Sequence, residues 1–126
     1  IMKVIVAGSR SIEEFSIVDE ILNSIKKTVN ISKVISGTAR GVVKLGEKWA
    51  KENHIQIEHY PADWNKYGKS AGYRRNAEMA VMGDLLVCIW DGESRGSQHM
   101  YDCMVQLKKP TYLYNLKTGI ITKKFA

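Results

Sequence analysis

Three stretches of this 126-residue chain repeat one arrangement: an apolar run, a short glycine-bearing loop that contains an arginine, and then a helical pattern. The runs are Val4–Ala7 into Gly8-Ser9-Arg10, Val34-Ile35 into Ser36-Gly37-Thr38-Ala39-Arg40-Gly41, and Leu85–Trp90 into Asp91-Gly92-Glu93-Ser94-Arg95-Gly96-Ser97. Strands that alternate with helices build a parallel sheet covered on both faces. The loops that follow parallel strands open on one edge, outside the carboxyl ends, where open α/β folds hold their ligands. Glycine backbone, helix N-termini and arginines gathered on that edge predict a pocket for an anion, above all a phosphate.

The rest of the chain fits the same rhythm. Strands are expected at about 3–7, 33–36, 55–60, 85–90 and 111–114, with a short edge strand at 120–122 after the Asn115–Gly119 turn. The run at 85–90 is the most apolar and is expected to be central. Ser11 and Glu14 form a capping-box pattern ahead of a helix that reaches about Thr28, with Phe15, Val18, Ile21, Leu22 and Ile25 at helical spacing. Further helices are expected at about 42–53, 70–82 and 96–109, the third stopping near Gly83 and the last at Lys108-Lys109-Pro110. Pro61–Lys69 reads as a connector. The expectation is one three-layer, doubly wound α/β domain over residues 1–126, with a mostly parallel five-stranded sheet and a short C-terminal edge strand.

Composition removes several classes of function. No apolar run approaches the roughly 20 residues that span a bilayer. Arg10, Glu13 and Glu14 arrive too early for a secretory signal, so no membrane partner and a cytoplasmic location are expected. Cys88 and Cys103 lack metal-ligand spacing and read as free thiols, and no resident metal or cofactor is expected. The net charge of +6, from 19 basic and 13 acidic residues, favours phosphorylated or polyanionic partners. The lysines are scattered, without a basic stripe interleaved with aromatics, which disfavours nucleic acid.

Neither G-x-G-x-x-G nor G-x-x-x-x-G-K-[ST] occurs, so an ordinary dinucleotide site or a P-loop hydrolase is disfavoured. Gly8 can be a tight strand-to-helix turn, and Ser9 and Arg10 directly after it tilt the reading towards anion contact. The Ser36–Gly41 loop is more informative. Its small residues let successive backbone N–H groups form an anion nest around Gly37, Thr38, Ala39 and Gly41, with Arg40 supplying a fork of donors. In Tyr73-Arg74-Arg75-Asn76 the two arginines sit roughly 100° apart on a helix, so one faces the cleft while the other meets solvent. Arg75 is the inward choice, with Asn76 beside it to read an amide or base edge; a surface salt-bridge role is the plainer alternative. Gly96 and Ser97, opening the last helix after Ser94, offer amides and a hydroxyl to phosphate. Asp91 either holds a ribose hydroxyl or caps a turn, and Glu93 and Arg95 can pair with each other. Trp64 and Tyr67 either stack a base or join the core. His99 reads as structural or pocket-lining, and His54 and His59 show no partner pattern.

Taken in order, these blocks resemble the SLOG superfamily of Rossmann-like domains, most closely its small single-domain YspA-type (YAcAr-like) branch. The resemblance runs through Ile5–Arg10, Ser36–Gly41, Ala62-Asp63-Trp64, Ala71–Met79 and Trp90–Ser97, nearly the whole chain. It implies a site for nucleotides or nucleotide-derived molecules; relatives include cytokinin-activating phosphoribohydrolases, predicted nucleotide-signal sensors and the single-strand DNA-binding DprA proteins. Two departures matter. The acidic residue that the family usually carries after the second glycine loop is Val43 here, and the position of the phosphoribohydrolases' catalytic glutamate is Met100. N-glycosidic hydrolysis needs a carboxylate to stabilise an oxocarbenium-like state or to activate water, and its most obvious agents are missing.

The expected function is therefore binding of a nucleotide-derived small molecule by a sensor, carrier or sequestering protein. The expected ligand-binding residues are Gly8, Ser9, Arg10, Gly37, Thr38, Ala39, Arg40, Gly41, Arg75, Asn76, Asp91, Ser94, Gly96 and Ser97. A phosphoribohydrolase on the same pocket is the alternative, with Asp91 and Asp102 as the remaining carboxylates and Asp91 as the catalytic candidate, and single-strand nucleic-acid binding ranks last. The resemblance also implies a homo-oligomer. Met100, Tyr101, Met104 and Leu107 supply either its contact surface or core packing.

Overall fold

The computed structural model of the chain describes residues 1–125. Its strands are β1 (Met2–Gly8), β2 (Ile31–Ser36), β3 (Gln56–His59), β4 (Leu85–Trp90), β5 (Thr111–Asn115) and β6 (Ile120–Lys124). The helices are α1 (Phe15–Lys26), α2 (Val42–Glu52), the single turn α3 (Trp64–Tyr67), α4 (Ala71–Met82) and α5 (Arg95–Gln106). All six strands join one sheet in the order β3-β2-β1-β4-β5-β6. The first five are parallel, and β6 returns antiparallel along β5, with Lys123 opposite Tyr112. This is a Rossmann-like α/β architecture, with the C-terminal edge strand where the sequence places it and β1 and β4 at the centre.

The continuous apolar runs are explained by the two core layers. Along β1, Val4 and Val6 pack with Val18, Leu22 and Ile25 of α1 and with Trp49 of α2. Their neighbours Ile5 and Ala7 point the other way, onto Met79 of α4 and Met100 and Met104 of α5. The central β4 divides in the same manner, Val87 and Ile89 to one layer and Leu86 and Cys88 to the other. Because successive side chains of a strand alternate faces, a strand covered on both sides must be apolar at every position.

Several local expectations are corrected. The Ser11–Glu14 capping box does not form: α1 begins at Phe15, with an extended Glu14 that makes no side-chain cap bond. Ser11 Oγ instead donates to Asp91 Oδ2 at 3.2 Å, and Ile12 is drawn into the core. The Pro61–Lys69 connector contains helical turns, because Asp63 Oδ1 accepts the Lys66 N–H at 3.1 Å and opens α3, which a 3-10 turn at Gly68–Ser70 follows. The last helix begins at Arg95, one residue early, since Ser94 is its N-cap. Glu93 pairs with Lys117 at 3.7 Å, not with Arg95. Met100 and Met104 are core residues, 1% and 0% exposed, so they offer no contact surface; Leu107 is exposed.

Candidate functional site

Strand order reverses between β1 and β4, since the chain passes from β1 outward to β2 and β3 and then crosses to β4 on the other side. The crevice at the carboxyl ends of those two strands is the topological switch point. Ser9 ties its two walls together. Its N–H donates to Ile89 O at 3.0 Å, and its Oγ accepts the Asp91 N–H at 2.9 Å. Gly41, at φ +73°, brings the second loop against the first; a Cβ there would lie 2.5 Å from Ser9 O. The Val42 N–H closes that contact on Ser9 O at 3.3 Å. Ser9 is fully buried, and neither it nor Gly41 lines the cavities described below: both hold the loops in place.

Two clefts of about 410 and 370 Å³ open on this edge, and a recess of about 70 Å³ shares walls with both. Arg10 and Arg75 line all three. The larger cleft adds Asn76, Asp91, Ser94 and Gly96 from the predicted set, together with Trp64 and Tyr73. The second adds Gly37, Thr38, Ala39 and Arg40. Gly8 and Ser97 line the recess. Arg10, Arg40 and Arg75, distant in sequence, thus border one cleft.

Arg75 is the centre of the arrangement. Its Nη1 donates to Gly37 O and its Nε to Asn76 Oδ1 at 3.1 Å. Gly37 is required here, because a Cβ at that position would stand 2.6 Å from Arg75 Nη1. Burial lowers the Arg75 pKa, and the positive charge of Arg10 lowers it further. Every ion pair among the described residues is made by a lysine or a histidine, so no carboxylate neutralises these arginines. Arg74 turns outward, over the Tyr67 ring at 4.5 Å.

The second loop is held from below. Thr38 adopts φ +61°, an unfavourable conformation for a β-branched residue. Its N–H donates to Ser36 Oγ at 3.1 Å, and Ser36 Oγ donates to Glu47 Oε2 at 2.5 Å. Glu47 is buried and lies 3.7 Å from His59 Nε2, a partner that the sequence did not reveal. At the third loop, Ser94 Oγ accepts the Ser97 N–H at 3.4 Å. The first two amides of α5, those of Arg95 and Gly96, have no intrahelical partner.

Asp91 is a turn cap. Its Oδ1 accepts the Glu93 and Ser94 amides, both at 2.8 Å, and its Oδ2 accepts the Ser11 hydroxyl. Burial pushes its pKa up, but these bonds and the Ser9 hydroxyl outweigh it and leave the carboxyl below its ordinary value. Asn76 is likewise occupied internally, binding Arg75, Gly96 O and His99 Nδ1. Trp64 is 52% exposed and borders both clefts, so it does not belong to the core. Sequence reasoning missed Lys69, Tyr73 and Glu47. Tyr73 sits inside the Ala71–Met79 block, and Glu47 lies one helical turn beyond Val43, but nothing distinguishes Lys69. Among the described residues no group of three or more His, Cys, Asp or Glu is placed to hold a metal ion.

Val43 and Met100 both line the recess, with Ala7 and Met79, giving it an apolar wall. Comparison with known proteins agrees with the pattern of loops. The gene 61 protein of Mycobacterium phage D29 is 30% identical over 114 residues, which cover 85% of this chain and 89% of that protein. The family model described as "YspA, cpYpsA-related SLOG family" matches residues 2–67, the span that carries the first two arginine loops and Trp64. On these grounds the chain belongs to the YspA, cpYpsA-related SLOG family.

Proposed function

We propose that this protein binds a nucleotide or nucleotide-derived small molecule at the carboxyl edge of its sheet, as a sensor, carrier or sequestering protein. A phosphate sits between Arg10, Arg40 and Arg75, the α5 amides face it, and a base lies against Trp64. One observation carries the reading: Arg10 and Arg75 line the same clefts, the charge of Arg10 disfavours that of Arg75, and among the described residues neither makes an ion pair with a carboxylate. A half-buried guanidinium beside a second, exposed positive charge is costly unless an anion joins them. Titration calorimetry against mono-, di- and cyclic nucleotides tests it. At least one is expected to bind at sub-millimolar concentration, and Arg75→Ala to weaken it by roughly tenfold or more. Equal binding by the mutant, or no binding by any nucleotide, rejects the site.

Hydrolysis is the second reading, favoured by a single observation: Asp91 is held ionised on the wall of the larger cleft. Release of free base from a nucleoside monophosphate, abolished in Asp91→Ala, would establish it. The apolar wall at Val43 and Met100 argues for binding without turnover.

A further inference from the structure

The orientation of the Asn76 amide is dictated by two neighbours that each have only one hydrogen-bonding role. The Arg75 Nε–H can only donate, so the atom facing it at 3.1 Å is the amide oxygen. Gly96 O can only accept, so the atom facing it at 3.2 Å is the amide nitrogen. The second N–H of that nitrogen then points to His99 Nδ1, also at 3.2 Å. His99 Nδ1 must accept, which requires the neutral imidazole with its proton on Nε2. Asn76 is buried, so its amide depends on these protein partners.

We infer that His99 is a positioning residue for the anion site: unprotonated at Nδ1, it locks the Asn76 amide so that Oδ1 holds Arg75 Nε and keeps the guanidinium on Gly37 O, between the clefts. A proton on Nδ1 would set donor against donor at Asn76. Rotation of the amide to relieve that clash would turn its NH₂ group on Arg75 Nε and its oxygen on Gly96 O, two new repulsions in place of two bonds. The Arg75 guanidinium would lose one of its two anchors, and anion affinity would fall as the medium is acidified through the His99 titration.

The groups around the His99 ring are consistent with a neutral resting form. From α4 come Tyr73, its ring centroid 4.5 Å away, and Arg75, acting through Asn76. From α5 come Cys103, its Sγ 3.6 Å from Nε2, and Asp102. Burial disfavours the imidazolium and outweighs the opposing charge of Asp102, so the His99 pKa lies below its ordinary value.

The inference rests on the anion-binding reading only for its affinity arm, and nitrogen NMR tests it without a ligand. At about pH 8, neutral His99 is expected in the Nε2–H form, with the Arg75 Nε–H resonance protected from exchange. Its protection factor, taken against the intrinsic exchange rate at each pH, should collapse as acidification protonates the ring, and at about pH 8 in His99→Phe, which keeps a ring beside Tyr73 but loses the acceptor. His99→Gln, whose amide oxygen can accept from Asn76, should restore it. An Nδ1–H form at high pH, or Arg75 protection indifferent to acid, overturns the inference; the wild-type titration decides even if His99→Phe does not fold.

Calorimetry with sulfate, a dianion across the roughly pH 5 to 8 window in which a histidine titrates, supplies the second arm. Wild-type affinity is expected to fall roughly tenfold towards the acid end, and that of His99→Gln to stay flat. Flat wild-type affinity alongside a collapsed Arg75 signal overturns the link to the site. Absence of sulfate binding at either pH, with the Arg75 signature intact, leaves the positioning role standing and counts against the anion-binding reading.

Discussion

Gly37 and Arg75 form a matched pair: the missing side chain of one is the space occupied by the guanidinium of the other. Gly37→Ala therefore makes a specific prediction. The new Cβ meets the far end of a flexible side chain, which can swing away, so the fold should persist at a stability cost of about 0.5–1.5 kcal/mol for the displaced hydrogen bond. Nucleotide affinity should fall nearly as far as in Arg75→Ala, because the guanidinium leaves its seat. Thermal denaturation and calorimetry on the same variant separate the two effects. At this scale the sequence identified Arg75 as the inward arginine, since neighbouring helical positions diverge. It did not reveal that Asn76, expected to read an amide or base edge, spends its polar atoms on the protein, through Gly96 and His99, partners that only the folded chain brings near. For Asp91 the sequence offered a ribose contact or a turn cap, and the cap is what forms, on the neighbouring Glu93 and Ser94 amides, with Ser11 added from afar.

The helix α4 carries Arg75 and Asn76, and its end is held by an unusual cap. Lys109, arriving just before β5, donates its ammonium to the carbonyls of Ala80, Val81 and Gly83, each at 2.8 Å. A cation at a helix C-terminus satisfies orphan carbonyls and the negative end of the dipole together. Lys109→Met keeps the aliphatic stem and removes only the charge and its donors. It should destabilise the protein by about 1–3 kcal/mol, as for hydrogen bonds from a charged group, with a matching fall in the denaturant midpoint at unchanged slope. Element boundaries were legible where apolar periodicity set them, as in β4 at 85–90 and α4 ending before Gly83. They were misjudged where capping set them. Ser11 looked like a cap but serves Asp91, whereas Asp63 and Ser94 are the side-chain caps that start α3 and α5.

For the whole molecule, ionisation predicts a domed stability profile. Asp91 and Glu58 both titrate below their ordinary values. For Glu58 the leading cause is the hydrogen bond from Lys33, opposed by burial and reinforced by Lys3. A carboxyl with a depressed native pKa stabilises above its unfolded value, and that contribution disappears as pH falls through the native one. On the alkaline side, burial pushes the Cys88 thiol from 9.0 to about 12. Its contribution is complete below the unfolded pKa and is lost as pH rises towards the native one, because the unfolded thiol ionises first. Denaturant titrations at stepped pH should show both limbs. In Cys88→Ala the alkaline limb should flatten relative to that variant's own maximum.

What the sequence determined by itself was the alternation of strand, arginine loop and helix, and with it the parallel sheet and the edge on which the loops gather, since both follow from local periodicity and chain connectivity. Tertiary structure alone decided which polar atoms remain available to a ligand. The Asn76 amide and the second oxygen of Asp91 are committed by partners 20 and 80 residues away. The cost of burying an unsatisfied polar group forces that commitment, and it operates only once the layers have closed.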